Sequence, residues 1–99
     1  MMDQIIRDEA RLRILQALAQ EVDERLTSSS IEKALKELYW IARGRAFIHA
    51  EMDYLAEIGA VRVILAGDVR IAELTERGKR HLERTLLLEG VQRPDRQGA

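Results

Sequence analysis

The chain has 99 residues, 46% of them hydrophobic and 33% charged, which is enough for one folded domain and too few for two. It has no cysteine, which excludes disulfides, thiolate metal ligands and thiol nucleophiles. We expect a cytoplasmic protein, because no apolar run approaches the length of a membrane span and no signal sequence opens the chain. The net charge of −1 does not favour nucleic-acid binding, for which a basic face is the usual footprint.

The first predicted element is an amphipathic helix over residues 3–21. A stripe at three- and four-residue spacing indicates its buried side, made of Ile6, Ala10, Ile14, Ala17 and Leu18. Ile5 and Leu12 lie seven residues apart and form a second, narrower stripe on another side.

A short extended segment at Leu26-Thr27 is predicted to be the small third strand of a sheet. The second helix then begins within residues 28–30, where Ser29 and Glu32 have the spacing of a capping box. We expect this helix to end near Trp40 and to turn a core face inward, made of Ile31, Ala34, Leu35 and Leu38.

Gly44 is the strong breaker before the third helix, predicted over residues 45–58, and a short turn with glycine is typical of a helix-turn-helix. At about 100° per residue, the inward side of this helix is Ile48, Met52, Leu55 and Ile58. The outward side is Ala46, His49, Ala50, Asp53 and Glu57. We expect a surface hydrogen bond between His49 and Asp53 rather than a metal site.

A β-hairpin is predicted next, with Gly67-Asp68 as a type II′ loop in which glycine supplies the positive φ. This register places Arg62 opposite Glu73 and Ile64 opposite Ile71, and the facing opposite charges support it.

The last helix is predicted over residues 75–89, and the polar tail over residues 92–99 is expected to be disordered, which leaves one domain over residues 1–91. Arg77, Arg80 and Arg84 share one face of that helix. They could hold a phosphate backbone, or they could pair with Glu76 and Glu83 as an ordinary solvated face.

The order helix, helix, helix, hairpin, helix resembles the winged helix-turn-helix superfamily, which is mainly α with a small β-hairpin wing. The resemblance rests on residues 11–18, 52–61 and 74–78 and is to the arsenic-repressor-like and multiple-antibiotic-resistance-regulator-like branches. Residues 5–15 and 89–94 are similar to a family of small winged-helix proteins from Mu-like phages and prophages.

The resemblance implies a protein that binds double-stranded DNA and regulates transcription in a phage or prophage programme. The third helix would enter the major groove. The contacts would come from Arg43, Arg45 and His49, with supporting phosphate contacts from Arg70, Arg77 and Arg80. Against this, Asp53 and Glu57 would meet phosphates, the wing tip is acidic, and Arg43 and Arg45 could simply solvate a turn.

Apolar residues near both ends of the chain predict a homodimer, because the first and last helices commonly form the contact in winged-helix dimers. The predicted interface is Ile5, Leu12, Leu82, Leu86 and Leu87. The alternative is that these residues pack against each other within one chain.

No enzymatic activity, cofactor or metal is expected, because serine runs before a helix are usually caps and the glycines fall at structural stops rather than in a phosphate-cradling loop. The second functional hypothesis is a winged helix used for protein–protein interaction without DNA binding. Tyr39, Trp40 and the C-terminal leucines are its candidate contacts.

Overall fold

The computed structural model describes residues 2–95, which form four helices and a three-stranded antiparallel sheet. The elements in chain order are α1 (Met2–Ala19), β1 (Arg25–Thr27), α2 (Ser28–Tyr39), α3 (Arg45–Glu57), β2 (Val61–Ala66), β3 (Val69–Leu74) and α4 (Glu76–Leu82). Three helices followed by a hairpin confirm the predicted winged helix-turn-helix architecture.

The aliphatic core lies where α1, α2 and α3 meet the sheet. Its largest fully buried apolar side chains are Ile14, Leu15, Leu18, Ile31, Leu35, Ile48, Met52 and Leu55. Leu12 is 2% exposed and also belongs to this core, so its assignment to a dimer interface is wrong. The reason is that α1 is covered by α2, α3, α4 and β3 together, which buries a wider arc than one stripe.

The prediction that Leu38 faces the core is wrong, since Leu38 is 65% exposed. The C-terminal end of α1 does not cover it. An open groove remains there between α1 and α2, and Leu38 lines it together with Ala17, Gln20 and Tyr39.

The sheet has the strand order β1-β3-β2, and the predicted hairpin register is confirmed. Arg62 lies opposite Glu73, and Arg25 of β1 approaches the same carboxylate with its Nε at 2.9 Å from Oε2. Hydrogen bonds from Arg62 and then Arg25 hold the pKa of Glu73 below its usual range. Gly67 has a φ of +64°, as the predicted turn requires.

Threonines cap two of the helices. Thr27 Oγ1 accepts a hydrogen bond from the Ser30 amide at 3.2 Å, so the predicted capping box of Ser29 and Glu32 is wrong. Glu32 is unavailable as a cap partner because its carboxylate is paired with Arg45. Thr75 caps α4 in the same way, accepting from the Gly78 amide at 3.1 Å.

α4 ends at Leu82, seven residues before the predicted end, because the chain turns back at Arg84, whose φ is +64°. The buried imidazole of His81 stabilises the reversal, since its Nδ1 accepts a hydrogen bond from the Leu88 amide at 3.0 Å. The reversal carries Leu88 and Val91 into the core, each 6% exposed.

The predicted disordered tail overlaps a segment that the structure places. The Gln92 amide donates to the Asp8 carbonyl at 3.0 Å, and Pro94 is buried, so ordered packing continues past the predicted domain end at residue 91. Residues 96–99 of the predicted tail lie outside the described residues.

Among residues 2–95, no helix is both long enough and apolar enough to cross a membrane.

Candidate nucleic-acid interface

The turn between α2 and α3 is set by a left-handed residue and a buried anchor. Trp40 has a φ of +63° and ends α2, and the Ile41 amide then donates to the Leu35 carbonyl at 3.0 Å. Ile41 is 9% exposed and pins the turn to the core, and Gly44 begins α3. The predicted helix-turn-helix therefore has a fixed geometry.

α3 is held by its inward side and presents its first two turns outward. Ile48, Met52 and Leu55 are at most 1% exposed, whereas Ala46 and Ala50 are exposed. Two alanines on the outward side leave room for another molecule to approach the helix backbone.

Arg43 and Arg45 flank this outward side, and both are held by carboxylates. Arg43 Nη2 lies 3.2 Å from Asp3 Oδ1, and its guanidinium stacks 4.6 Å from the centre of the Phe47 ring. Arg45 Nε lies 2.6 Å from Glu32 Oε1. Hydrogen bonds from Arg7 and then Arg43 hold the pKa of Asp3 below its usual range, so this carboxylate is charged at neutral pH.

His49 is half-buried beside the start of α2. The predicted hydrogen bond between His49 and Asp53 is wrong. The Nε2 of His49 lies 3.0 Å from Ser28 Oγ, and Asp53 instead accepts from Arg70 Nη1 at 3.2 Å. Burial, and then the charges of Arg70 and Arg45, lower the pKa of His49, so the imidazole is neutral at neutral pH. Within residues 2–95, no three histidines or carboxylates come together as a metal site would require.

The Arg70–Asp53 ion pair ties the wing to α3. The wing tip beyond it is apolar on both strands, with Leu65 69% and Val69 44% exposed, and Gly67-Asp68 forms the turn. Arg70 is therefore a cation of the wing that is held against α3.

The three arginines predicted to share one face of the last helix do not form one free stripe. Arg77 Nε donates to the Ile58 carbonyl at 2.9 Å, at the C-terminal end of α3, and Arg84 donates to the Pro94 carbonyl. Arg80 Nε lies 3.9 Å from Glu76 Oε2, a loose and exposed pair. Two of the three are thus used inside the fold, and Arg80 is the freest for a phosphate.

One lysine missed by the sequence reasoning joins this surface. Lys36 of α2 lines a shallow groove of about 190 Å³ together with Glu32, Ala42, Arg43 and Gly44. It takes part in none of the ion pairs formed within residues 2–95. The sequence feature that could have identified Lys36 is its position one turn before the end of α2, next to the turn that contains Arg43. We call Lys36, Arg43, Arg45, His49 and Arg70 the helix-turn-helix face.

A buried ion pair also escaped the sequence reasoning, and it positions α3. Arg11 Nε lies 2.6 Å from Glu51 Oε1, with side-chain exposures of 7% and 1%. The same guanidinium stacks 3.7 Å from the centre of the Tyr54 ring and donates to the Gly90 carbonyl at 2.7 Å. α1, α3 and the C-terminal segment are thereby joined at one point.

The chain matches no protein-family model and no curated protein. Among solved structures, it is similar to a winged-helix DNA-binding protein from STIV, with a TM-score of 0.60 and 19% sequence identity. The similarity covers 86% of this chain and 85% of that chain. At this level of identity the likeness establishes the winged-helix fold.

Proposed function

We propose that this chain binds double-stranded DNA through the helix-turn-helix face, with the N-terminal half of α3 in the major groove. The observation that carries the proposal is the way in which α3 is presented. Its inward side is locked in the core, while its exposed first turns combine small Ala46 and Ala50 with Arg43 and Arg45 at their edge. A helix start of this kind fits the mode by which helix-turn-helix proteins read base edges. The likeness to a DNA-binding protein of the same fold supports this proposal.

Binding by this face involves an exchange of partners. Arg43, Arg45 and Arg70 are each paired with a carboxylate in the free protein. A DNA phosphate or guanine must displace that carboxylate, and the displaced negative charge stays near the DNA. We therefore expect modest affinity at physiological salt and a steep dependence on salt.

The proposal includes action as a homodimer and as a transcriptional regulator of a phage or prophage programme. A two-fold dimer would present two α3 helices to a pseudo-palindromic site. Of the residues predicted for the contact, Ile5 is 60% and Leu87 40% exposed, whereas Leu82 and Leu86 are half-buried against the core, so this set by itself does not define the dimer surface. The resemblance of residues 5–15 and 89–94 to Mu-like phage proteins supports the phage setting.

The test is fluorescence anisotropy with a labelled random-sequence duplex, titrated at about 50 mM and about 200 mM salt. We expect binding at the lower salt that falls steeply at the higher one. Arg45→Ala should weaken binding by roughly tenfold, as the loss of one phosphate or base contact predicts. Arg25→Ala is the matched control, because it removes one arginine from the sheet edge, where Glu73 keeps Arg62 as a partner.

Equal losses in the two variants would contradict the assignment of the site. A folded protein that shows no binding at low salt would contradict general DNA binding and favour the second candidate, a protein-interaction module. One observation favours that candidate: two large apolar side chains at the end of α2 are exposed, Trp40 by 90% and Leu38 by 65%.

A further inference from the structure

An apolar groove lies on the side of the molecule where the end of α1 faces α2. Its volume is about 300 Å³, and its floor and walls include Ala17, Leu26, Ala34, Leu38 and Tyr39. Leu38 stands at its edge, 65% exposed. An apolar groove with an exposed leucine at its edge offers a surface on which another protein chain can pack.

The side of α2 that borders the groove carries two small residues and one large residue in a single row along the helix. Ser30, Ala34 and Leu38 follow each other at four-residue spacing, so they line up along the helix. Small side chains at two of these positions leave depressions into which a leucine from another helix can pack.

Two opposite charges lie along one edge of this stripe, and within residues 2–95 neither forms an ion pair. Lys33 and Glu37 are exposed and lie one turn apart on the same edge of α2. Neither takes part in the ion pairs formed within residues 2–95, although ten other cations do. One edge of the stripe thus carries an unpaired positive charge followed, one turn later, by an unpaired negative charge.

We propose that a second copy of this chain docks on this surface, with the two α2 helices antiparallel and crossing level with residue 35, midway between Lys33 and Glu37. A two-fold axis at that point brings Lys33 opposite the partner's Glu37, and Glu37 opposite the partner's Lys33, so both charges are satisfied twice. The same operation places Leu38 of each copy over the small residues of the other α2. A patch that carries both signs in this order is complementary to itself, which is why the occupant is a second copy rather than a uniformly charged partner.

Trp40 extends the contact. It is 90% exposed and held in a left-handed conformation that bulky residues rarely adopt, two residues beyond Leu38. We include Trp40 in the proposed contact because antiparallel pairing brings the end of one α2 to the beginning of the other. Large aromatic side chains are enriched at such contacts. This surface is separate from the predicted contact through Ile5 and Leu87, and the inference does not depend on DNA binding.

The experiment measures the molecular mass in solution and the fluorescence emission of Trp40 over the same range of protein concentrations. Sedimentation equilibrium over a range of protein concentrations should show a species of twice the chain mass of 11.4 kDa. Trp40 is the only tryptophan, so its emission reports this surface alone. We expect the emission maximum to shift to shorter wavelength over the same concentration range in which the mass doubles.

Charge reversal separates this surface from others. Lys33→Glu and Glu37→Lys should each raise the dimer dissociation constant by roughly tenfold, since each puts like charges opposite each other twice. The double reversal should restore dimerisation, because it rebuilds both pairs with exchanged signs. Leu38→Glu should give a monomer, while Ile5→Glu and Leu87→Glu should leave the dimer intact. Circular dichroism checks that each variant is folded, which exposed positions favour.

Three results would overturn the proposal. The first is a wild-type protein that stays monomeric at millimolar concentration. The second is a dimer that Leu38→Glu leaves unchanged or that Ile5→Glu or Leu87→Glu abolishes. The third is a double reversal that binds no better than the single ones.

Discussion

At the scale of single residues, the arginines of the helix-turn-helix face are defined as much by their carboxylate partners as by their own charge. Arg45 and Glu32 are 2.6 Å apart, and both side chains are partly exposed, at 52% and 32%. An exposed pair of this kind is worth little to stability. Its larger effect is on binding, because it occupies the guanidinium that a DNA phosphate would use.

Glu32→Gln should therefore strengthen DNA binding, by roughly threefold to tenfold at low salt, because it frees Arg45 and removes a negative charge beside the DNA. Anisotropy titrations against wild type measure the effect. Glu83→Gln is the matched control, with the same charge change at the end of α4. The gain should shrink when Arg45→Ala is also present, and an undiminished gain there would mean that Glu32 acts through net charge alone.

At the scale of elements, the position of α4 against the hairpin depends on a close approach between the backbone of its first turn and the backbone just before β2. Gly78 is buried in the first turn of α4, where its Cα faces the Ala60 carbonyl at the start of β2, and the Thr75 amide donates to that same carbonyl at 3.2 Å. Thr75 Oγ1 also donates to the Gly59 carbonyl at 2.7 Å. α4 can sit this close to the wing's base only because residue 78 has no side chain.

Gly78→Ala should lower the free energy of unfolding by about 2 kcal/mol or more, because its Cβ would overlap the Ala60 carbonyl oxygen and lie 2.8 Å from Leu74 Cδ1. Urea denaturation measures the change. Gly44→Ala is the matched control: apart from its chain neighbours, nothing lies within 4 Å of its added Cβ, and its φ of −71° suits any residue. We expect a change below about 1 kcal/mol there. Similar losses at both glycines would argue against the close approach.

At the scale of the whole molecule, one buried charge network joins the chain's beginning, middle and end. Glu51 of α3 accepts from Arg11 and from Arg7 of α1, at 2.6 Å and 3.1 Å, and Arg11 also binds the Gly90 carbonyl. This network orients α3 relative to the rest of the fold, and so it sets how the helix-turn-helix face is presented.

Glu51→Gln should lower the free energy of unfolding by about 3 kcal/mol, because it leaves Arg11 buried without a countercharge. Replacing both residues by methionine should cost less than this single change, since no unpaired charge remains. Glu9→Gln, which breaks the partly exposed pair with Arg13, should cost less than about 1 kcal/mol. Thermal or urea unfolding compares the three, and a loss in Glu51→Gln no larger than in Glu9→Gln would contradict a structural role for the network.

Local pattern was sufficient wherever the physical cause lies within a few residues. The start of α3 at Arg45, the strand pair with Arg62 opposite Glu73, the positive φ of Gly67 and the short strand at Leu26-Thr27 all follow from periodicity, turn chemistry and cross-strand charge. The order of these elements was enough to predict the winged-helix fold.

The tertiary structure alone decided what depends on contacts between distant segments. Leu12 is buried and Leu38 exposed because the neighbours of α1 and α2, rather than their own periodicity, determine which arc is covered. α4 ends at Leu82 because His81 and the core draw Leu88 back. The ion pairs of Arg43, Arg45 and Arg70 join residues 40, 13 and 17 positions apart, and no local spacing encodes such distances. Sequence therefore determined the fold and where its cations lie, and packing decided which of them are free to bind.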